Sequence, residues 1–474
     1  MAGARDSRVV PAAALAVFLL SLGVSAFSLP GARFVWDDTY LIQNNPSIRD
    51  LGQAGSYFTA TWASGTQEGF GQAKNVSFYR PVATLSYAVD HALFGASPVA
   101  FRLVNNLLGA VAAVLVLLLL LALALPTSAA VAGALLFAVH PVHTEVLAVS
   151  AYRTEALSAL FFLAALLAHV RFRPGSLVGS LCVAGLSGLA FFSKESAVPL
   201  VAALVLVDVA LRREQVRSLW WQRWVPVAVV LCGYLAARAG LVQAAPGSPF
   251  SGFGAGAVFL TMVRTMALYA RLLVAPWPLN AYYDPSIWPP VEDVLDPLVL
   301  VGLVVVLAYL AGMVVAWRRA RTAAVLMGVA ALALTPYLHL VPFRAIAGER
   351  FLYLSSAFLA GLAGLAFQQV LAVRPRAALV AGVLVLLSLS GLSAVRYRDW
   401  TDNRTIMEAK VRDFPESFDG HYVLGSYLLD VEHRPVAALP HLEEAARIWP
   451  GFAPAERELQ RARREAAAAP RPRP

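Results

Sequence analysis

Charge is scarce in this chain. Only 14% of its 474 residues are Asp, Glu, Lys or Arg, against about 25% in soluble domains. A further 59% are hydrophobic, and the mean hydropathy is +0.65. These values exclude an ordinary soluble domain and place the chain in a membrane. Cysteine is nearly absent. Cys182 and Cys232 both fall inside apolar runs, where buried thiols are expected, and two such residues supply neither a disulfide framework nor a cysteine-rich metal site. No glycine-rich nucleotide loop is present. Lysine is sparse, so the net charge of +9 is mostly arginine. The arginines gather in short loops between apolar runs, which reads as membrane topology and not as a nucleic-acid footprint.

A spanning helix needs about 20 mostly apolar residues. The first run, Val9 to Leu29, follows Arg5 and Arg8. Val24-Ser25-Ala26 resembles a cleavage site, but the run is long enough for an uncleaved span. Further spans are expected at 101–124, 127–140, 155–170, 176–192, 196–211, 224–241, 298–317, 322–342, 350–370 and 377–395, about eleven in all. The stretch 256–276 is interrupted by Arg264 and Arg271, and a re-entrant or interfacial helix is expected there. With a cytoplasmic N-terminus, every dense arginine cluster falls on the cytoplasmic side, as the positive-inside rule requires. The opposite side then receives the loop bearing Asp37 and Asp38, the segment His140 to Arg153, Ser193 to Ser196, region 242–297, Phe343 to Glu349 and the C-terminal tail.

The expected fold is therefore all-α: a polytopic helical membrane domain over 1–395 with a small C-terminal helical tail. The outer loop 30–100 holds two aromatic-rich amphipathic stretches, Leu51 to Trp62 and Pro81 to Phe94, which read as interfacial helices. From Arg396 onward the chain turns polar. Leu424-Gly425, Ala438, Leu442, Ala445 and Pro450 approximate the second half of a tetratricopeptide repeat within 396–465. One to two such repeats bury too little core to stand alone, so the tail must dock, pair or stay marginal. The Pro/Arg/Ala-rich end, 466–474, is expected to be disordered.

Ionisable residues at membrane depth are costly and point to function. Here they recur on the outer side. Asp37 and Asp38 stand where the chain leaves the first span. His140-Pro141-Val142-His143-Thr144-Glu145 follows the third, with Arg153 and Glu155 soon after. The histidines are three apart, unlike the i, i+4 pair of helical zinc hydrolases, so metal binding is disfavoured against an acid/base and phosphate-contact cluster facing Asp37. A polar helix end without chemistry is the plain alternative. Lys194, beside Glu195, suits a phosphate as a compact point charge. Arg350, after Glu349, suits a phosphate with two donors.

Several motifs stand in a recognisable order: Phe34-Val35-Trp36-Asp37-Asp38, Tyr79-Arg80-Pro81 with Phe101-Arg102-Leu103-Val104-Asn105, His140 to Glu145, Lys194-Glu195, Gly348-Glu349-Arg350-Phe351-Leu352-Tyr353, and the tail. Together they resemble the transmembrane and tetratricopeptide-repeat O-mannosyltransferases of the GT-C glycosyltransferase superfamily. The tail departs from that family in having so few repeats, and the arginine usage suggests a bacterial homologue in an inner membrane with a periplasmic outer side.

The resemblance implies an inverting membrane glycosyltransferase. Its donor would be a polyprenyl-phosphate sugar, mannose, entering from the membrane lipid. Its acceptor would be a hydroxyl, Ser or Thr if a protein, engaged with help from the tail. Asp37 would be the base, with Asp38 orienting it or the sugar, or the two roles exchanged. Arg350 and Lys194 would hold the leaving phosphate, assisted by Arg80 and Arg153. His143 and Glu145 would bind sugar hydroxyls or hold Asp37, with His140, Glu195 and Glu349 in the same donor-binding shell. No metal, cofactor or nucleic acid is implied. A lipid-linked sugar flippase or a non-catalytic membrane scaffold are the rival readings.

Overall fold

A computed structural model of the protein describes residues 2–61, 78–212, 217, 219–242, 249–341, 343 and 345–468. Its regular structure, among these residues, is entirely helical. The sequon Asn75-Val76-Ser77, Trp62 and residues 469–474 lie outside the described residues.

The membrane part runs through α1 (Ala2–Ser25), α2 (Pro81–Phe94), α3 (Pro98–Ala122), α4 (Thr127–Val139), α5 (Arg153–Arg171), α6 (Leu177–Ser193), α7 (Leu200–Leu211), α8 (Trp220–Leu241), α9 (Ala255–Val274), α10 (Pro297–Arg319), α11 (Arg321–Leu334), α12 (Tyr353–Val373) and α13 (Pro375–Asp399). Eight described helices are long and apolar enough to cross a membrane, or nine if the pair bent by 52° at Pro141 counts as one span. This is an integral, multi-pass membrane protein.

Each of the eleven expected segments is helical over most of its length, but α4, α6, α7 and α11 are shorter than a full span. The stretch expected to be re-entrant or interfacial is one unbroken helix, α9, of span length. Its two arginines do not break it because each finds partners in the loop that follows. Arg264 donates to the Pro289 carbonyl at 3.1 Å and lies over the Trp288 ring. Arg271 donates to the carbonyls of Trp277 and Pro278 at 2.8 and 3.2 Å. Cys182 and Cys232 are exposed on the helix bundle surface and not buried as expected.

Helix starts follow local chemistry. Proline opens α2, α3, α10 and α13, where its missing N–H costs nothing. The Asp296 side chain accepts from the Leu298 and Val299 amides at 2.8 and 3.0 Å and caps α10. Small residues set the tightest packing, as is usual between membrane helices. A Cβ on Gly364 of α12 would stand 2.1 Å from the Ala129 carbonyl oxygen of α4. One on Gly302 of α10 would meet the Val263 carbonyl of α9 at 1.9 Å.

The last apolar helix continues to Asp399, past the expected boundary at 395. Four helices follow: α14 (Asn403–Asp413), α15 (Phe418–Asp430), α16 (Pro435–Ile448) and α17 (Ala453–Ala468). Ala466, Ala467 and Ala468, expected to be disordered, complete α17. Gly425 lets Leu442 approach, with Ala438, Leu442 and Ala445 fully buried. This tail docks on the membrane domain. Asp284 accepts from the Ser417 hydroxyl at 3.0 Å and pairs with Lys410 at 3.2 Å, and Ser286 accepts from the Phe418 amide at 2.9 Å.

Candidate active site

The chain leaves α1 through a tight turn in which the Asp38 amide donates to the Val35 carbonyl at 2.9 Å. The turn gives the two neighbouring carboxylates opposite surroundings. Asp38 is fully buried; its Oδ1 accepts from the Ala151 amide at 2.6 Å and its Oδ2 from the Val35 amide at 3.2 Å. It pins the turn to the segment that opens α5. Burial lifts its carboxyl to about 6 despite these amides and the charge of Arg102. Asp37 is only half-buried. It accepts from the Tyr40 hydroxyl and from Tyr152. Burial raises its carboxyl above the usual range, while Tyr40, Arg350 and Arg80 pull it back.

Arg350 stands at the start of the turn leading into α12. Its Nη1 pairs with Glu145, whose other oxygen accepts the Arg350 amide at 3.0 Å. Glu145 is completely buried, and the Arg350 guanidinium lies over the Tyr152 ring, 4.6 Å from its centroid. Its Nε and Nη2 donate to no partner among the described residues. Arg350 lines a small cavity with Glu155, Ser158, Ser196, Tyr337 and Phe351. Across it, Lys194 pairs with Glu155, which accepts from the Tyr337 hydroxyl at 3.0 Å. Arg80 grips Glu195 with two bonds of 3.0 and 2.6 Å. Burial opposes ionisation of Glu195, but Arg80 and Lys194 overcome it and hold the carboxyl down at about 2. Burial lowers the Lys194 ammonium, with Glu155 acting against it.

Asp37, Arg80, Glu145, Lys194, Glu195 and Arg350 therefore form one continuous charged cluster. The remaining sequence-chosen residues face other partners. Arg153 is fully buried and spends its guanidinium on Asn105 at 2.7 Å, the Phe101 carbonyl at 2.9 Å and Asp90 at 2.5 Å. His140 bonds the Leu273 carbonyl at 3.1 Å. His143 bonds the Ser356 hydroxyl at 2.8 Å and packs between Phe137 and Tyr353. Glu349 turns away from the cavity to the Asn280 amide and the Tyr283 hydroxyl. Tyr40, Tyr152 and Tyr337 were not singled out from sequence. Their hydroxyls and rings make the site, but aromatic residues are common near membrane surfaces and carry no spacing signature.

Residues 80–239 match the family model described as dolichyl-phosphate-mannose-protein mannosyltransferase. Human protein O-mannosyl-transferase TMTC1 is 28% identical, over 93% of this chain and 56% of its own length. A Caenorhabditis elegans protein O-mannosyl-transferase is 26% identical, over 87% of this chain and 60% of its own. The chain thus spans less than two thirds of these curated relatives. Among solved structures, the apo oligosaccharyltransferase of Archaeoglobus fulgidus aligns with a TM-score of 0.46 at 13% identity, covering 88% of this chain and 58% of that one. ArnT from Cupriavidus metallidurans bound to undecaprenyl phosphate aligns at 0.43 and 14% identity, covering 98% and 78%. Over nearly its whole length, this chain is thus similar to protein O-mannosyl-transferases.

Proposed function

We propose that the protein is an inverting membrane glycosyltransferase that moves a sugar, mannose, from a polyprenyl-phosphate donor to a protein Ser or Thr hydroxyl on the non-cytoplasmic side. Arginine usage and the charge asymmetry of the loops favour a bacterial inner membrane, with the tail periplasmic. The observation that carries this reading is a partly buried carboxylate, Asp37, that feels the charge of Arg350, an arginine with donors to spare in the wall of a small cavity. Asp37 takes the proton of the acceptor hydroxyl as its oxygen bonds the anomeric carbon. The bond from that carbon to the phosphate oxygen breaks, and the electron pair leaves with the phosphate. Such proton transfer contributes about 10²–10⁴-fold in rate. The leaving phosphate needs positive charge and donors, not an acid. Arg350 supplies both through its Nε and Nη2, and Lys194 and Arg80 add field while staying tied to Glu155 and Glu195.

The test is transfer by the purified full chain in nanodiscs, with labelled polyprenyl-phosphate-mannose and either Ser/Thr peptides or water as acceptor. Label on peptide hydroxyls supports the reading. Donor binding without turnover on any acceptor points instead to a lipid-linked sugar flippase, and absence of donor binding overturns both.

A further inference from the structure

The turn bearing Asp37 is held from the far end of the chain. Trp36, the residue before it, sits in the left-handed backbone region at φ 53°, where a side chain crowds the following carbonyl and only surrounding contacts keep it. Its amide donates to Oδ1 of Asn403 at 2.8 Å, across 367 positions of sequence. Asn403 is the first residue of α14, whose start is fixed by Asp402 accepting the Thr405 amide at 2.8 Å. Two further ties run in parallel. The Arg33 amide donates to the Thr401 carbonyl at 2.9 Å. Arg102, fully buried, donates to the carbonyls of Ser28 at 3.0 Å, Arg33 at 2.6 Å and Thr401 at 3.4 Å.

Resting on the reading of Asp37 as the base, we infer that Asn403 of the C-terminal helical segment is a positioning residue for the transfer reaction: it holds the strained Trp36 peptide and so aims the Asp37 carboxylate. Asp38 anchors the turn from one side through Ala151, and Asn403 anchors it from the other. The tail is then part of the catalytic architecture, and displacement of α14 releases the base. A misplacement of this kind changes turnover more than donor binding, because the cations of the cavity stand on other elements.

The experiment compares Asn403→Ala, which removes the acceptor, with Asn403→Asp, which keeps an acceptor oxygen. Arg463→Ala, an exposed tail pair with Glu443, serves as control. Asn403→Ala is expected to lower kcat about tenfold to a hundredfold with donor KM little changed, while Asn403→Asp restores most of it and the control matches wild type. Hydrogen exchange is expected to quicken at residues 34–41 in Asn403→Ala, with 405–413 unaltered. A kcat for Asn403→Ala within about twofold of wild type overturns the inference. So do equal losses in both variants with a lowered Tm, which mark a packing role. If the wild type itself transfers no sugar, the functional reading has failed; unchanged exchange at 34–41 is what removes the clamp.

Discussion

The helix Arg153–Arg171 carries a buried ionic cluster near each end, and the two are built differently. At the far end, Asp208 of α7 is fully buried and accepts from Arg223 Nε and Nη2 at 2.9 and 2.8 Å and from Trp224 Nε1 at 2.9 Å. His169 lies 3.0 Å from the same carboxylate. Both oxygens are occupied, and the cluster ties α5, α7 and α8 together. At the near end, Arg350 Nε and Nη2 donate to no partner among the described residues, and Asp37 keeps part of its surface open. Both clusters are costly to bury, so an ionisable residue at membrane depth does not by itself mark chemistry. A ligand site needs hydrogen-bonding capacity left over.

That contrast can be broken from either side. The largest expected effect is at the closed cluster. Arg223→Ala takes the guanidinium from buried Asp208 and leaves it only Trp224 and His169, and loss of one partner of a buried pair costs about 3–5 kcal/mol. The expected result is a strong fall in thermal stability, read by denaturation in nanodiscs, with transfer per folded molecule retained. At the open cluster, Arg350→Lys keeps the charge but loses the planar fork. Transfer is expected to fall by about 10²-fold, the scale for removing one donor from a developing anion, with a much smaller change in Tm.

The pH profile sharpens the comparison further. Since burial raises Asp37 above the ordinary carboxylate value of 3.8, the rate falls on acidification through that raised value, as the base is protonated. Arg80 pulls the same carboxyl down, so Arg80→Gln is expected to move the acid limb of kcat/KM to higher pH. A limb that stays put shows that Asp37 is not the titrating base. The smallest effect belongs to the exposed tail pair: Arg463→Ala is expected to leave both Tm and rate unchanged.

Much of this arrangement is legible in the sequence because hydrophobic runs and charge placement determine where helices lie. The Asp37-Asp38 pair, Glu145, Lys194 and Arg350 stand out as ions in an apolar chain, and they do gather. What the sequence cannot separate is two adjacent aspartates of the same chemistry. The distinction comes from the Ala151 amide, 113 positions away, which claims Asp38 and leaves Asp37. His140 and His143 mislead for a related reason. Their spacing gives no hint that one ring meets the Leu273 carbonyl and the other packs between two aromatic rings. The arginines of α9 look like interruptions until the carbonyls of the following loop are in place around them.

The most direct test of the central claim is Asp37→Asn, which keeps the size of the side chain and removes its basicity. Donor affinity and single-turnover transfer would be measured on the same nanodisc preparation. The account predicts unchanged donor affinity and transfer slower by about 10²–10⁴-fold. Transfer at the wild-type rate, with the donor bound as tightly, would contradict it.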